Sequence, residues 1–225
     1  KNVMETLELT KEKIAPTPVK SISGSEAVLD AFIQEGVTTI FGYPGGAIMP
    51  IYDALYDYHD RLQHILVRHE QGAIHAAQGF ARAGNRTGVV FATSGPGATN
   101  LVTGLADAMI DSTPVVCITG QVFAHLLGTD AFQETDVINI TTPVTKWNHQ
   151  VTDASEIPAA LAKAFYIAGS GRPGPVLIDI TKNAQLQLFD YEGYTKCNHI
   201  RSYRPKPIVR KKYVEEAAKL INEAQ

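Results

Sequence analysis

Six short strand-like runs, apolar or β-branched in all but the fifth, constrain this chain more than any other feature. They fall at residues 37–41, 64–67, 88–93, 115–119, 147–151 and 176–180, and between most of them the apolar pattern changes to a helical period. Short apolar runs bounded by turn residues are strands buried on both faces. Parallel strands cannot be joined by a hairpin; each crossover takes a helix, and those helices cover the sheet. The sequence therefore predicts an α/β fold: a doubly wound six-stranded parallel sheet with helices on both faces, over residues 19–189.

The first helix is announced by Ser23-Gly24-Ser25-Glu26, which has capping-box spacing ahead of Ala27, Val28, Ala31 and Phe32. Further helices are expected at residues 48–56, 73–83, 101–110 and 157–168, with an irregular stretch at 122–143. Residues 1–18 are polar, carry Pro16 and Pro18, and are expected to be a tail. Residues 190–210 have the composition of a linker. An amphipathic helix then begins near Lys211, with Val214, Ala217, Ala218 and Ile221 on one face, as the start of a truncated second domain. Because the chain starts at Lys1 and ends inside that helix, it is expected to be a piece of a longer protein.

A net charge of -3 gives no support to a nucleic-acid or membrane-surface role. No apolar run approaches membrane-spanning length, and no basic-then-apolar leader is seen. Two cysteines, Cys117 and Cys197, make no disulfide framework, so a reducing, cytoplasmic setting is expected.

The segment Leu66-Val67-Arg68-His69-Glu70-Gln71-Gly72-Ala73 passes from a strand directly into a helix, with Glu70 at the junction. Alone, Glu70 is better explained as a first-turn acid that steadies its helix. Its company consists of three glycine-rich turns, at residues 42–46, 95–97 and 171–174. A dinucleotide site fits poorly, because Asn100 stands where the third glycine of Gly95-Pro96-Gly97 would be, and no acid ends the next strand. No Gly-Lys-Ser/Thr follows any turn, which removes a P-loop. His69 and His75 lie about 240° apart around a helix, so they share no metal, and no metal ligand set is assigned. Ser94 lacks a nucleophile elbow. What remains is one acid among glycine- and proline-shaped strand ends, with Tyr43, Asn100, Phe132 and Gln133 nearby in the pattern. Those residues suit a flat heterocycle, gripped and protonated at one nitrogen.

Five blocks occur together in order: Phe41-Gly42-Tyr43-Pro44-Gly45-Gly46-Ala47, Val67-Arg68-His69-Glu70-Gln71-Gly72-Ala73, Ser94-Gly95-Pro96-Gly97-Ala98-Thr99-Asn100, Gly128-Thr129-Asp130-Ala131-Phe132-Gln133-Glu134 and Arg172-Pro173-Gly174-Pro175-Val176-Leu177. Over about residues 20–185 the chain resembles the N-terminal pyrimidine-binding domain of acetohydroxyacid (acetolactate) synthase catalytic subunits. The resemblance implies thiamine diphosphate as cofactor, with Glu70 hydrogen-bonding a ring nitrogen of its aminopyrimidine and delivering the proton that starts catalysis. It implies pyrimidine-pocket roles for Tyr43, Pro44, Pro96 and Asn100, and backbone near the reacting carbons for Gly46 and Ala47. Phe132 and Gln133 fall on the substrate side, Gln133 also beside the cofactor, with Lys182 near the substrate entrance. Arg172 corresponds to an arginine contacting FAD, kept without redox use and pointing to branched-chain amino-acid synthesis. The resemblance further implies pyruvate and 2-oxobutyrate as substrates, Mg²⁺ and the diphosphate on a separate C-terminal domain, sites between subunits of a homodimer or tetramer, and a possible small regulatory subunit.

On that reading residues 1–225 alone are inactive. Two alternatives stay open: another thiamine-diphosphate-dependent 2-oxo acid decarboxylase or oxidase, and a binding domain that kept the fold without the chemistry. Glu70 argues against glyoxylate-condensing relatives, which carry an apolar residue there. Departures from the family pattern are Phe123 in place of a usual proline, Gln78 in place of a common acid, and Trp147 in place of a common histidine.

Overall fold

A computed structural model describes residues 20–206 and 208–224 of the chain. The expected tail at residues 1–18 lies outside them. In chain order the elements are β1 (Lys20–Ser23), α1 (Gly24–Gln34), β2 (Thr39–Gly42), α2 (Met49–Leu55), β3 (Gln63–Leu66), α3 (Glu70–Gly84), β4 (Gly88–Ala92), α4 (Pro96–Thr99) and α5 (Val102–Ile110). There follow β5 (Val115–Gln121), α6 (Val137–Thr141), β6 (Trp147–Val151), α7 (Ile157–Gly169), β7 (Pro175–Thr181), α8 (Lys182–Leu186), β8 (Leu188–Tyr191) and α9 (Lys211–Glu223).

The six expected strands are β2 to β7. They pair in the order β3-β2-β4-β5-β7-β6, and every pairing is parallel. Alternate residues along the central strands go to opposite faces. Val89 and Phe91 of β4, Val116 and Ile118 of β5, and Val176, Ile178 and Ile180 of β7 pack with α1, α2 and α7. Val90 and Ala92, Val115 and Cys117, and Leu177 pack with α3 and α5 on the other side. Phe32 is fully buried against Phe91 and Phe165, with ring centroids 5.7 and 5.9 Å away. Burying such a ring contributes about 1.5–3 kcal/mol.

The capping box of α1 forms as its spacing predicts. The backbone N–H of Ser23 donates to Glu26 Oε2 at 2.8 Å, and that of Glu26 donates to Ser23 Oγ at 3.2 Å. Helix α3 starts earlier than the apolar period suggests, because His69 accepts the N–H of Gln71 and caps the helix one residue ahead of Glu70.

Two features depart from the sequence expectation. β1 and β8, each four residues long, form an antiparallel pair that ties the start of the domain to its end. β1 carries no apolar run, and the four residues of β8 are too short a pattern to announce a strand. The stretch 122–143 is not wholly irregular: Asp136 accepts the N–H of Asn139 and caps α6. Residues 192–206 run over the domain surface, held by Tyr194 Oη donating to Glu35 at 2.7 Å and Tyr203 Oη donating to the Ser170 carbonyl at 3.0 Å. All described residues of α9 are exposed, including the stripe with Val214 and Ile221.

Candidate active site

The chain leaves β2 toward β3 on one side and returns from β3 to β4 on the other. That reversal opens a crevice at the carboxyl ends of β2 and β4, the place where open α/β sheets bind ligands. Three turns meet there: residues 43–48 after β2, 67–69 after β3, and 93–95 after β4.

Glu70 is the first residue of α3, fixed by the strand before it and the helix after it. Only 7% of it is exposed. Its Oε2 accepts a 2.9 Å hydrogen bond from Asn100 Nδ2. Among the described residues no donor is bonded to Oε1, which lies 3.2 Å from where a Cβ on Gly97 would sit. A carboxyl oxygen is thus left without a protein donor beside the Gly97 turn. Burial, and then the charge of Glu70, raise the Tyr52 phenol above its ordinary range.

Thr93, at the end of β4, joins two of the turns. It accepts the N–H of Ala47 at 3.2 Å, and its methyl occupies the space where a Gly97 side chain would go, 2.8 Å from that missing Cβ. The Ala47 carbonyl accepts from Gln185 Nε2 at 2.9 Å, so Ala47 is held from both sides. Tyr43, Pro44, Gly46 and Ala47 therefore share this corner with Glu70, Pro96 and Asn100.

Phe132 and Gln133 are on the adjoining rim. Gly95 has a φ of 57° and no Cβ, and one there would lie 2.6 Å from the Gln133 carbonyl; only glycine lets the loop press on this turn. Phe132 is 88% exposed, and Gln133 adopts a φ of 60°, a left-handed conformation uncommon for a side-chain-bearing residue. The Glu134 carboxylate accepts the N–H groups of Gly128 and Ala131, which hold it below the usual carboxylate range. Lys182, just past β7, donates its N–H to the Val122 carbonyl at 3.4 Å and points its ammonium toward the Phe123 ring at 6.0 Å.

Arg172 is not brought to this corner. It precedes β7, at the amino end of the sheet, where Nε donates to Ser112 Oγ at 2.8 Å and Nη2 to the Met109 and Ile110 carbonyls at 3.0 and 2.7 Å. There it closes the end of α5. Of the departing positions, Gln78 is buried, donating to the Gly104 carbonyl at 3.1 Å and accepting from Arg82 at 3.0 Å; Trp147 stacks on His149 at 5.4 Å. Among the described residues no cluster of three His, Cys, Asp or Glu side chains is placed to hold a metal ion. Thr93, Gln121 and Asp179 are the residues that sequence reasoning passed over. The available signal for the last was an acid inside an otherwise apolar strand run.

A parallel sheet with a buried acid at its switch point, beside glycine-rich turns, is an arrangement able to bond a flat, protonatable ring. The family model for "Thiamine pyrophosphate enzyme, N-terminal TPP binding domain" matches residues 22–140, and the chain belongs to that family. It is 51% identical over 204 residues to the acetolactate synthase large subunit of Corynebacterium glutamicum, covering 91% of this chain and 32% of that protein. The acetolactate synthase isozyme 2 large subunit of Escherichia coli is 58% identical over 173 residues, covering 77% and 31%. The acetolactate synthase large subunit of Pyropia yezoensis is 49% identical over 206 residues, covering 90% and 35%. The chain spans about a third of the length of these relatives.

Proposed function

We propose that the whole protein is a thiamine-diphosphate-dependent carboligase that decarboxylates pyruvate and joins the two-carbon unit to a second 2-oxo acid, giving acetolactate or, from 2-oxobutyrate, acetohydroxybutyrate. The observation that carries this is the carboxyl group of Glu70, nearly buried at a helix start, with one oxygen fixed by Asn100 and the other set against Gly97. The donor set fits an aminopyrimidine: Oε1 of Glu70, bonded to no donor among the described residues, is the group that would meet its ring nitrogen.

When bound, thiamine diphosphate supplies the carbanion chemistry. The chain's own residues bind, orient and hold a proton. The Asn100 amide donates to Oε2 of Glu70 and leaves Oε1 as the oxygen that would exchange a proton with the ring nitrogen. Asn100 fixes that carboxyl plane, and Thr93 keeps the Ala47 turn and the Gly97 turn at a constant separation. Tyr43, Pro44 and Pro96 flank the ring, Gly46 and Ala47 approach the reacting carbons, and Phe132, Gln133 and Lys182 face the substrates. Mg²⁺ and the diphosphate are assigned to a part of the protein outside residues 1–225. FAD is assigned to the Arg172 end: Arg172 has Nη1 free of protein partners among the described residues, and a 490 Å³ cleft nearby is lined by Ser112 and Pro173.

Similarity to acetolactate synthase large subunits supports a biosynthetic role, with a homodimer or tetramer and a small regulatory partner as further parts of the proposal. No helix of the described residues is long and apolar enough to cross a membrane, and a cytoplasmic site is proposed. Product analysis of the full-length enzyme with pyruvate tests the reading. Acetolactate is expected; free acetaldehyde or acetate as sole product replaces it with the decarboxylase or oxidase alternative. Residues 1–225 alone are expected to give no product, and measurable acetolactate from them contradicts a site completed elsewhere.

A further inference from the structure

The substrate-side loop hangs on a buried carboxylate that the chemistry above does not use. Asp179 of β7 has no exposed surface, and it lies in register with Thr119 of β5 and Gln150 of β6. Its Oδ1 accepts from Thr119 Oγ1 at 2.6 Å; its Oδ2 accepts from Gln121 Nε2 at 3.1 Å and from Gln150 Nε2 at 2.9 Å.

Gln121 is the last residue of β5 and stands at the stem of the loop. Its Nε2 also donates to the Thr135 carbonyl at 3.0 Å, and its Oε1 accepts the Val122 N–H at 2.9 Å. One amide therefore ties the first residue of the loop to one near its end. A flipped amide would set Oε1 against Asp179 Oδ2 and the Thr135 carbonyl, two acceptors, and would turn its NH₂ toward the Val122 N–H. The carboxylate thereby decides the orientation of the amide, and the amide decides where Thr135 sits. Two residues before Thr135 is Gln133, left-handed and pressed on the Gly95 turn.

We propose that Asp179 is a positioning residue that, through Gln121, sets the 122–135 loop and with it the placement of Gln133 at the substrate side. The proposal rests on the carboligase reading for the kinetic role of Gln133, and on geometry alone for the loop.

The test uses the full-length holoenzyme and three variants. Asp179→Leu removes the acceptor. Gln121→Leu removes the staple and leaves Asp179 in place, so it decides the matter if the first variant does not fold. Asp179→Asn is the conservative rescue: its Oδ1 accepts from both glutamines while its Nδ2 donates to Thr119 Oγ1. Amide hydrogen exchange of peptides covering 122–136 is expected to speed up in both leucine variants and to stay at the parent rate in Asp179→Asn. The KM for the 2-oxo acid substrate is expected to rise about tenfold in the leucine variants, the scale of one lost hydrogen bond to a charged group. Exchange of the thiazolium proton of bound thiamine diphosphate is expected to stay within about twofold of the parent, because Glu70 is untouched. Unchanged loop exchange in Gln121→Leu overturns the proposal. So does faster loop exchange with an unchanged KM, or an asparagine variant that behaves like leucine. If the parent makes no acetolactate, the carboligase reading fails, and the loop exchange together with the KM for the 2-oxo acid that is turned over still decides this one.

Discussion

The two rims of the site are built by different physics. Glu70 is placed by regular structure: β3 ends, His69 caps α3, and the acid is the first residue of the helix. Gln133 is placed by side chains. Its loop is stapled by Gln121 at the stem, braced by Glu134 inside, and pressed on Gly95 at the tip. On the proposed function, an acid that offers one proton to one ring nitrogen gains from a backbone that cannot shift. On the same proposal, a rim that meets substrates of different size gains from contacts that can be retuned one by one.

Substitutions on either side should separate these two modes. The largest effect is expected from Glu70→Gln in the full-length enzyme. Turnover should fall about 10²- to 10⁴-fold, the range that positioned proton transfer contributes, because an amide cannot give the proton. Gly97→Ala comes next. Its methyl would meet Thr93 Cγ2 at 2.8 Å and Glu70 Oε1 at 3.2 Å. Overpacking of this kind costs about 1–3 kcal/mol, so cofactor affinity measured by titration should weaken about fivefold or more.

Asp179 gives a pH signature of its own. Burial lifts its carboxyl from 3.8 to about 6. Between those values the folded protein binds the proton more tightly than the unfolded chain, so stability falls as pH rises from about 4 to about 6. The ionisation cost is then present at neutral pH, on the order of 3 kcal/mol. Asp179→Asn should therefore raise the midpoint of urea unfolding relative to the parent above pH 6 and leave it close to the parent below pH 4. A variant difference that grows toward acid instead contradicts the assignment. The smallest effect belongs to the amino end of the sheet. Arg172→Ala loses the bonds that close α5, and a loss of about 1 kcal/mol lowers the melting temperature of a domain this size by about 2–4 °C. In the full-length protein the same variant should carry less FAD, and undiminished FAD content removes Arg172 from that role.

The contrast also explains what could be seen in the sequence. The sheet and Glu70 follow from local patterns: apolar strand runs, a helical period, and a junction between them. β1 and β8 escaped because their pairing spans most of the chain, Lys20 against Tyr191, and four-residue strands leave too short a pattern. Thr93 escaped because its importance is steric: a Cβ on Gly45 or Gly97 would fall within 3 Å of its methyl. The Asp179 network escaped for the same reason at longer range. Thr119, Gln121, Gln150 and Asp179 are neighbours only once β5, β6 and β7 are aligned in register. Arg172 sits in a turn of the same glycine-rich kind as the others, yet that turn opens at the amino end of β7.

The most direct measurement is the rate of hydrogen–deuterium exchange at the thiazolium carbon of thiamine diphosphate bound to the full-length enzyme, compared between parent and Glu70→Gln at matched cofactor occupancy. The account predicts that the variant still binds the cofactor and that exchange slows by at least about a hundredfold, the lower end of what a placed proton donor contributes. Exchange at the parent rate would show that the proton does not pass through Glu70, and the assignment of this site would be wrong.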